Sequence, residues 1–371
     1  MNIKHAFSLV AVGIWSAASL WGQLPKQMKE IKGGTRILGG GYQYRIEEWR
    51  MHLLTTDEQY TAMNSQSIAL GELPTENNIE LQVSVSDFYL SETEVTNLEY
   101  RNFLLDSLLK GKDNEIFRKA LKAAAKDQKG TEAQWQKLFS LAEEKGLMPD
   151  QEVWETDFPN AFNKPLTQHY FSHPSFDNYP VVGVSWTQAN AYCHWLSATN
   201  NAARAKKGLP AQPNFRLPTE MEWEYAALGP VPSNNDNNVH TWSMFPWEGN
   251  RTQDAQGHFR ANIKTGNGDY IADNYEYTAP VRSFAPNAFG LYDMAGNVSE
   301  WTMDNFVLRK PESAFSLSPV AVPAEDAASQ RVIKGGSWAD YQYAAICGSR
   351  AGMDETKGFS RVGFRVAMTK T

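Results

Sequence analysis

Asp293-Met294-Ala295-Gly296-Asn297-Val298-Ser299-Glu300 is the densest local signal in the chain. Two carboxylates flank a Gly-Asn turn, which can aim backbone carbonyls at the point the side chains face. Hard cations such as calcium take about six to eight oxygens from carboxylates, amides and carbonyls. Without a metal the same residues are an acidic turn. Asn262, Asp269, Asp273 and Asn274 form a second such stretch, readable as a cation loop or as a solvated one.

Outward from this turn, helical periodicity nearly vanishes between 229 and 371. Short strand candidates alternate with Asn/Asp/Gly clusters such as Ser233-Asn234-Asn235-Asp236-Asn237-Asn238. Upstream the helices declare themselves. One starts at Thr96-Asn97, with Asn97 as its expected N-cap and Leu98, Phe103, Leu104 and Leu108 as its apolar side. Residues 112–147 read as a helical insertion, with Ile116, Phe117 and Leu121 at helical spacing. A capping box at Thr131 and Gln134 follows, then Trp135, Leu138, Phe139 and Leu141, with Gly146 closing the helix. Its Lys and Glu residues suit a solvated face; a partner-binding helix pair is the alternative. Further helices start at Ser185, boxed by Gln188, and at Thr219, boxed by Glu222. Glu80–Val85 alternates at period 2 and predicts a strand continuing through Asp87–Leu90, and Arg36-Ile37-Leu38 is a shorter strand candidate. The expected organisation is a signal peptide over 1–22, an N-terminal segment over 23–74, and one α+β domain over 75–371 with an insertion at about 104–148.

Composition excludes several classes. The chain has 371 residues and a net charge of −7, without a basic stripe for nucleic acid. Two cysteines, Cys193 and Cys347, cannot build a disulfide scaffold or a four-thiolate metal site. The 12 Trp, 15 Tyr and 18 Phe suit a loop-rich fold pinned by large amphipathic rings. Lys4 followed by an uncharged stretch from Ala6 to Ala18 is a secretory pattern, too short to span a bilayer; a buried N-terminal helix is the alternative. No Cys follows it, so the expectation is an exported chain that is not a lipoprotein. His169 and His173 stand four apart, but Pro165, Pro174 and an extended-looking Tyr170-Phe171 argue against a helix that would pair them on a metal. Cys193 falls inside a helical stretch and reads as a small buried hydrophobe. Neither a nucleophile elbow nor a phosphate loop occurs.

Several segments together resemble the formylglycine-generating-enzyme (sulfatase-modifying-factor) family. They are Phe88–Asn97, Tyr179–Trp186, Phe215–Tyr225, Phe245–Trp247, Asn287–Asp293, Gly296–Trp301, Lys334–Trp338 and Gly363–Arg365, in the family's order. The resemblance implies a C-type-lectin-like α+β fold with sparse regular structure. It also implies two calcium sites. One would use the side chains of Asn262 and Asp273 with the carbonyls of Ile263 and Tyr275. The other would use the side chains of Asp293 and Glu300 with the carbonyls of Gly296 and Val298.

The family's enzymes hold copper(I) on two thiolates after the Gly-Gly-Ser segment, and soft Cu(I) needs sulfur. The matching positions here are Asp340 and Ala345, so no copper is expected and the chain reads as a pseudoenzyme. The family's disulfide partner for Cys193 would fall at Val366; a Cys193–Cys347 bond remains open. The insertion ending in Trp154–Pro159, with Lys164-Pro165 and Tyr170–Pro180, resembles the gliding-motility proteins GldK and GldJ of Bacteroidetes. That implies a periplasmic structural subunit of type IX secretion and gliding, in an oligomeric assembly, held near the outer membrane by partner proteins. An oxidase or sulfatase-maturation enzyme, and a calcium-dependent glycan-binding module, are the alternatives.

Overall fold

The structure is a computed structural model that describes residues 27–39, 80–109, 111, 113–116, 119, 132–230, 243–264, 271–306 and 330–371. The expected signal peptide, Phe117, Leu121, the Thr131 cap, the 233–238 cluster and Asp269 lie outside the described residues.

Three small sheets carry the molecule. The first is antiparallel and runs β1 (Met28–Ile31), β4 (Phe88–Ser91), β10 (Ala367–Thr369), β5 (Phe215–Arg216). The second is the antiparallel pair β2 (Gly34–Gly39) and β3 (Glu80–Val85). The third runs β8 (Ala351–Asp354), β7 (Gln330–Lys334), β6 (Ser299–Asn305), β9 (Val362–Gly363), with β6 and β9 parallel. Regular structure is sparse and of both kinds, as the expected α+β class requires.

Strand β3 has the expected alternation, with Val83 and Val85 buried. It does not continue into Phe88–Leu90. Asp87 breaks it, accepting from the Gly33 amide at 2.9 Å and from Lys32 at 3.0 Å, and Phe88–Ser91 enters another sheet. Residues 28–39 belong to the folded unit. Ile31 and Leu38 are fully buried, and Arg36, also buried, donates to the Gly229 carbonyl.

Six helices complete the described framework: α1 (Asn97–Leu108), α2 (Glu132–Glu144), α3 (Val153–Asp157), α4 (Lys164–His169), α5 (Trp186–Lys206) and α6 (Glu220–Ala227). Capping boxes start α5 at Ser185 with Gln188 and α6 at Thr219 with Glu222, as the sequence predicts. For α1 the N-cap is Thr96, boxed with Glu99. Asn97 sits one position inside and spends its amide on the carbonyls of Tyr170 and Phe176, tying α1 to the stretch after α4. The His169 region is helical rather than extended, because Pro165 suits the first turn of α4.

The largest core cluster lies between α1, α2 and α5. Tyr100, Phe103, Tyr192, Trp195 and Phe364 meet there as edge-on, tilted and stacked rings. Cys193 and Val366 share this cluster, while Cys347 packs in another with Leu291 and Met294; neither cysteine forms a disulfide.

Candidate functional site

The two stretches singled out as cation loops meet back to back. The Asn297 amide donates to the Asn262 carbonyl at 2.8 Å. Asp293 and Asn297 hold positive φ (56° and 59°), as does Gly296 (74°). Gly296 has a second reason to be glycine: a Cβ there would lie 2.2 Å from the Asn262 carbonyl oxygen. Asn297 is the centre of the junction. Its Oδ1 accepts from the Ala279 amide at 2.8 Å, and its Nδ2 donates to Glu94 Oε1 at 3.0 Å.

In the first loop, Asp273 is buried and its carboxylate accepts from the amides of Ile263 (2.9 Å) and Tyr275 (3.0 Å). Asn262 is buried too and donates to the Tyr277 carbonyl. Asp273 thus meets Ile263 and Tyr275 through their amides, Asn262 standing next to Ile263 in the chain and turning its side chain to Tyr277. The donor set, all hard oxygen, fits calcium.

The second loop differs from its expectation at Glu300. That carboxylate is fully buried and is clasped by Arg365, Nε to Oε2 and Nη2 to Oε1, each at 2.6 Å. The Trp223 indole donates a third hydrogen bond to Oε2, again at 2.6 Å. Arg365 is itself held by the carbonyls of Ser91 and Tyr292. Glu300 thus belongs to a buried ion pair that joins β6 to the segment between β9 and β10. Asp293 keeps one backbone donor, the Arg282 amide at 2.9 Å, and lies within side-chain reach of Glu94. Burial pushes the Asp293 carboxyl up to about 6. Glu94 is buried as well and rises well above the usual carboxylate range, from burial first and then from the charges of Asp293 and Glu300. Among the described residues, no three His, Cys, Asp or Glu side chains are grouped so as to hold a metal ion. His169 and His173 have ring centroids 6.3 Å apart.

Sequence reasoning overlooked Glu94, Trp223 and Arg365. All three stood in quoted motifs, but their partners lie far away along the chain. The available signal was a lone acid between Thr93 and Val95, next to strand residues that alternate into the core.

The two positions matching the copper thiolates are described. Asp340 accepts from the Ser337 hydroxyl, and its carbonyl accepts from the Lys264 amide. Ala345 is fully buried among Met244, Phe245, Ala261, Ile263, Ala295 and Ile346. A carboxylate and a methyl group do not fit Cu(I), which wants soft sulfur.

This geometry stands on a fold shared with known proteins. Residues 22–370 match the Sulfatase-modifying factor enzyme 1-like domain, and the chain belongs to that family. It is similar to the formylglycine-generating enzyme of Mus musculus, 34% identical over 197 residues, covering 51% of this chain and 44% of the mouse protein. It is also similar to the inactive C-alpha-formylglycine-generating enzyme 2 of Mus musculus, 28% identical over 304 residues, covering 77% and 76%. The match to the formylglycine-generating enzymes spans about half of their length. PvdO from Pseudomonas aeruginosa shares the fold, with a TM-score of 0.52 at 20% identity over 92% of this chain and 94% of PvdO. No helix among the described residues is long and apolar enough to cross a membrane.

Proposed function

We propose that this chain is a non-catalytic structural or interaction subunit of the type IX secretion and gliding machinery. It would work in the periplasm, at the outer membrane, through partner proteins. One observation carries the non-catalytic part: at the two thiolate positions stand Asp340, hydrogen-bonded to Ser337, and Ala345, sealed in an apolar cluster. Cys347 does not substitute, because it is fully buried and packs with Leu291 and Met294 in a different cluster. The similarity to the mouse protein named as inactive supports the same reading.

The partner assignment rests on the insertion's resemblance to GldK and GldJ. Between that insertion and the Tyr170–Pro180 stretch, Phe162 is 90% exposed. Beside it the buried Asn163 fixes the loop, donating to the Trp154 carbonyl at 2.8 Å and accepting from the Tyr277 hydroxyl at 2.5 Å. A large apolar side chain on a fixed loop suits a protein contact. Calcium at Asn262, Ile263, Asp273 and Tyr275 would brace the scaffold rather than react.

The test is affinity capture of the tagged chain from native envelopes, read by mass spectrometry, beside a Cu(I) titration with a Cys-containing substrate peptide. Recovery with other secretion components and no stoichiometric copper is the expected result. Stoichiometric Cu(I) with turnover of the peptide would establish an oxidase instead, and recovery as a free monomer would remove the partner reading.

A further inference from the structure

A hairpin from Thr252 to Arg260 and a loop from Phe284 to Asn287 help to wall a cavity of about 270 Å³. Both walls are fixed. The hairpin is closed by the Arg260 amide on the Thr252 carbonyl at 2.8 Å and the Asp254 amide on the His258 carbonyl at 2.9 Å. Asn287 pins the loop, donating to the carbonyls of Ala226 and Ala227 and accepting from the amides of Phe289 and Leu291. Trp247, Phe259, Phe284, Leu291 and Met294 make much of the lining apolar. Arg260 is the cation in it. Its guanidinium is half-buried and lies 6.0 Å from the centre of the Trp247 ring, which is stacked on Phe245 at 5.0 Å and tied to the Arg251 carbonyl at 2.9 Å. Arg101, Arg331, Arg350 and Arg365 each have a carboxylate partner. Arg260 has none among the described residues, only the Glu248 carbonyl at 3.4 Å. A guanidinium held against an aromatic ring, out of bulk water and without its own anion, is a prepared anion site.

We infer that this cavity binds a monocarboxylate with an apolar body, the carboxylate on Arg260 and the body among Phe259, Phe284 and Met294. The planar fork of arginine matches a carboxylate in two-point geometry. Ligand pockets begin at about 300 Å³, so this one has room for a single ring or side chain and not for an oligomer. Two acids also line it, and they limit the ligand's charge. Asp254 is turned into its own hairpin, accepting from the amides of Gln256 and His258, each at 2.9 Å, and meeting the His258 ring at 3.2 Å. Asp293 is buried and accepts from the Arg282 amide. A second carboxylate on the ligand would be repelled by them. A free carboxylic acid and the C-terminal residue of a peptide ending in an apolar side chain present the same chemistry. The site stands apart from positions 340 and 345 and does not depend on the partner reading.

The experiment titrates the full chain calorimetrically with hydrocinnamate, its uncharged amide, and succinate. Hydrocinnamate is expected to bind saturably, and the amide roughly ten- to a hundredfold more weakly, the worth of a charge-assisted pair. Succinate is expected to bind more weakly than hydrocinnamate. Arg260→Gln is expected to weaken the acid by the same factor and to leave the amide unchanged, with urea unfolding showing that the variant folds. A peptide ending in a free phenylalanine identifies the source: tighter binding than hydrocinnamate assigns the site to a chain terminus, weaker binding to a free acid. No saturable binding of hydrocinnamate at millimolar concentration overturns the inference. So does equal binding of acid and amide, a comparison made on the parent chain that needs no variant. A folded Arg260→Gln that binds the acid as the parent does overturns it too, leaving Arg260 only a cover for Trp247.

Discussion

Gly296→Ala tests the junction of the two loops, with Gly146→Ala as its internal standard. The two glycines have similar backbone angles, φ of 74° and 67°. They differ in surroundings: a Cβ at Gly146 meets nothing within 4 Å, whereas one at Gly296 lies 2.2 Å from the Asn262 oxygen and 2.8 Å from the Ile263 side chain. The left-handed conformation alone costs an alanine about 1–2 kcal/mol, which is all Gly146→Ala should lose. Gly296→Ala adds a contact no Cβ tolerates against backbone, so the loops must part. The first bond lost is that from the Asn297 amide to the Asn262 carbonyl, 2.8 Å long and buried. Leaving those groups unpaired costs a further ~1–3 kcal/mol. The expected loss is therefore roughly 2–5 kcal/mol against about 1–2 for the standard. Urea unfolding followed by tryptophan fluorescence measures both, with midpoints compared at unchanged slope. Losses within about 0.5 kcal/mol of each other would refute the junction, since surface effects alone fall in that range.

Other substitutions follow the same logic. Glu300→Gln should destabilise by about 3–5 kcal/mol whether or not calcium is present, because it leaves Arg365 buried beside a neutral partner; a loss seen only with calcium in the melting buffer would restore Glu300 as an ion ligand. Thr219→Ala should cost about 1 kcal/mol in urea unfolding through the lost cap of α6. Asp87 is half-buried and held at about 2, first by the Gly33 amide and then by Lys32 and Lys370. Its folded value lies below its unfolded one, so its stabilising effect is present above pH 4 and is lost as pH falls through about 2. The melting-point gap between the parent and Asp87→Asn should shrink over that window and shrink further in salt. Phe162→Ala should leave the urea midpoint within about 0.5 kcal/mol of the parent while reducing what the chain captures from envelopes.

What sequence reading could see was local. The boxes at Ser185–Gln188 and Thr219–Glu222 are made within one turn, so residue type and spacing suffice. Thr96 against Asn97 was a choice between adjacent residues with similar capping power. Asn97's side chain decided it by reaching Tyr170 and Phe176, more than seventy residues away. The break at Asp87 was hidden for the same reason, since its partners Gly33 and Lys370 lie at opposite ends of the chain. Glu94 is the extreme case: Asn297 reaches it across 203 positions, and no periodicity encodes that. The two acidic loops could be picked out because each is a short stretch of Asp, Asn and Gly. That they share a wall at Gly296 and Asn262 was not, because it depends on how distant loops stack.

The scaffold's polar interior shows which positions the fold itself holds fixed and which it leaves to local packing. Three buried ion pairs brace it: Glu300 with Arg365, Glu224 with Lys334, and Glu220 with Arg350. Glu224 also accepts from the Gly39 amide at 2.7 Å, so one carboxylate joins α6, β7 and β2. Removing one partner of such a pair leaves a bare charge in the core and costs several kcal/mol, so each member is locked by the other. Position 345 carries no such constraint. A methyl group there buries apolar surface against Ile263 and Ala295, and an aspartate at 340 finds Ser337 at once. The charged framework is therefore fixed by its own pairing, whereas positions 340 and 345 answer only to local packing and one hydrogen bond.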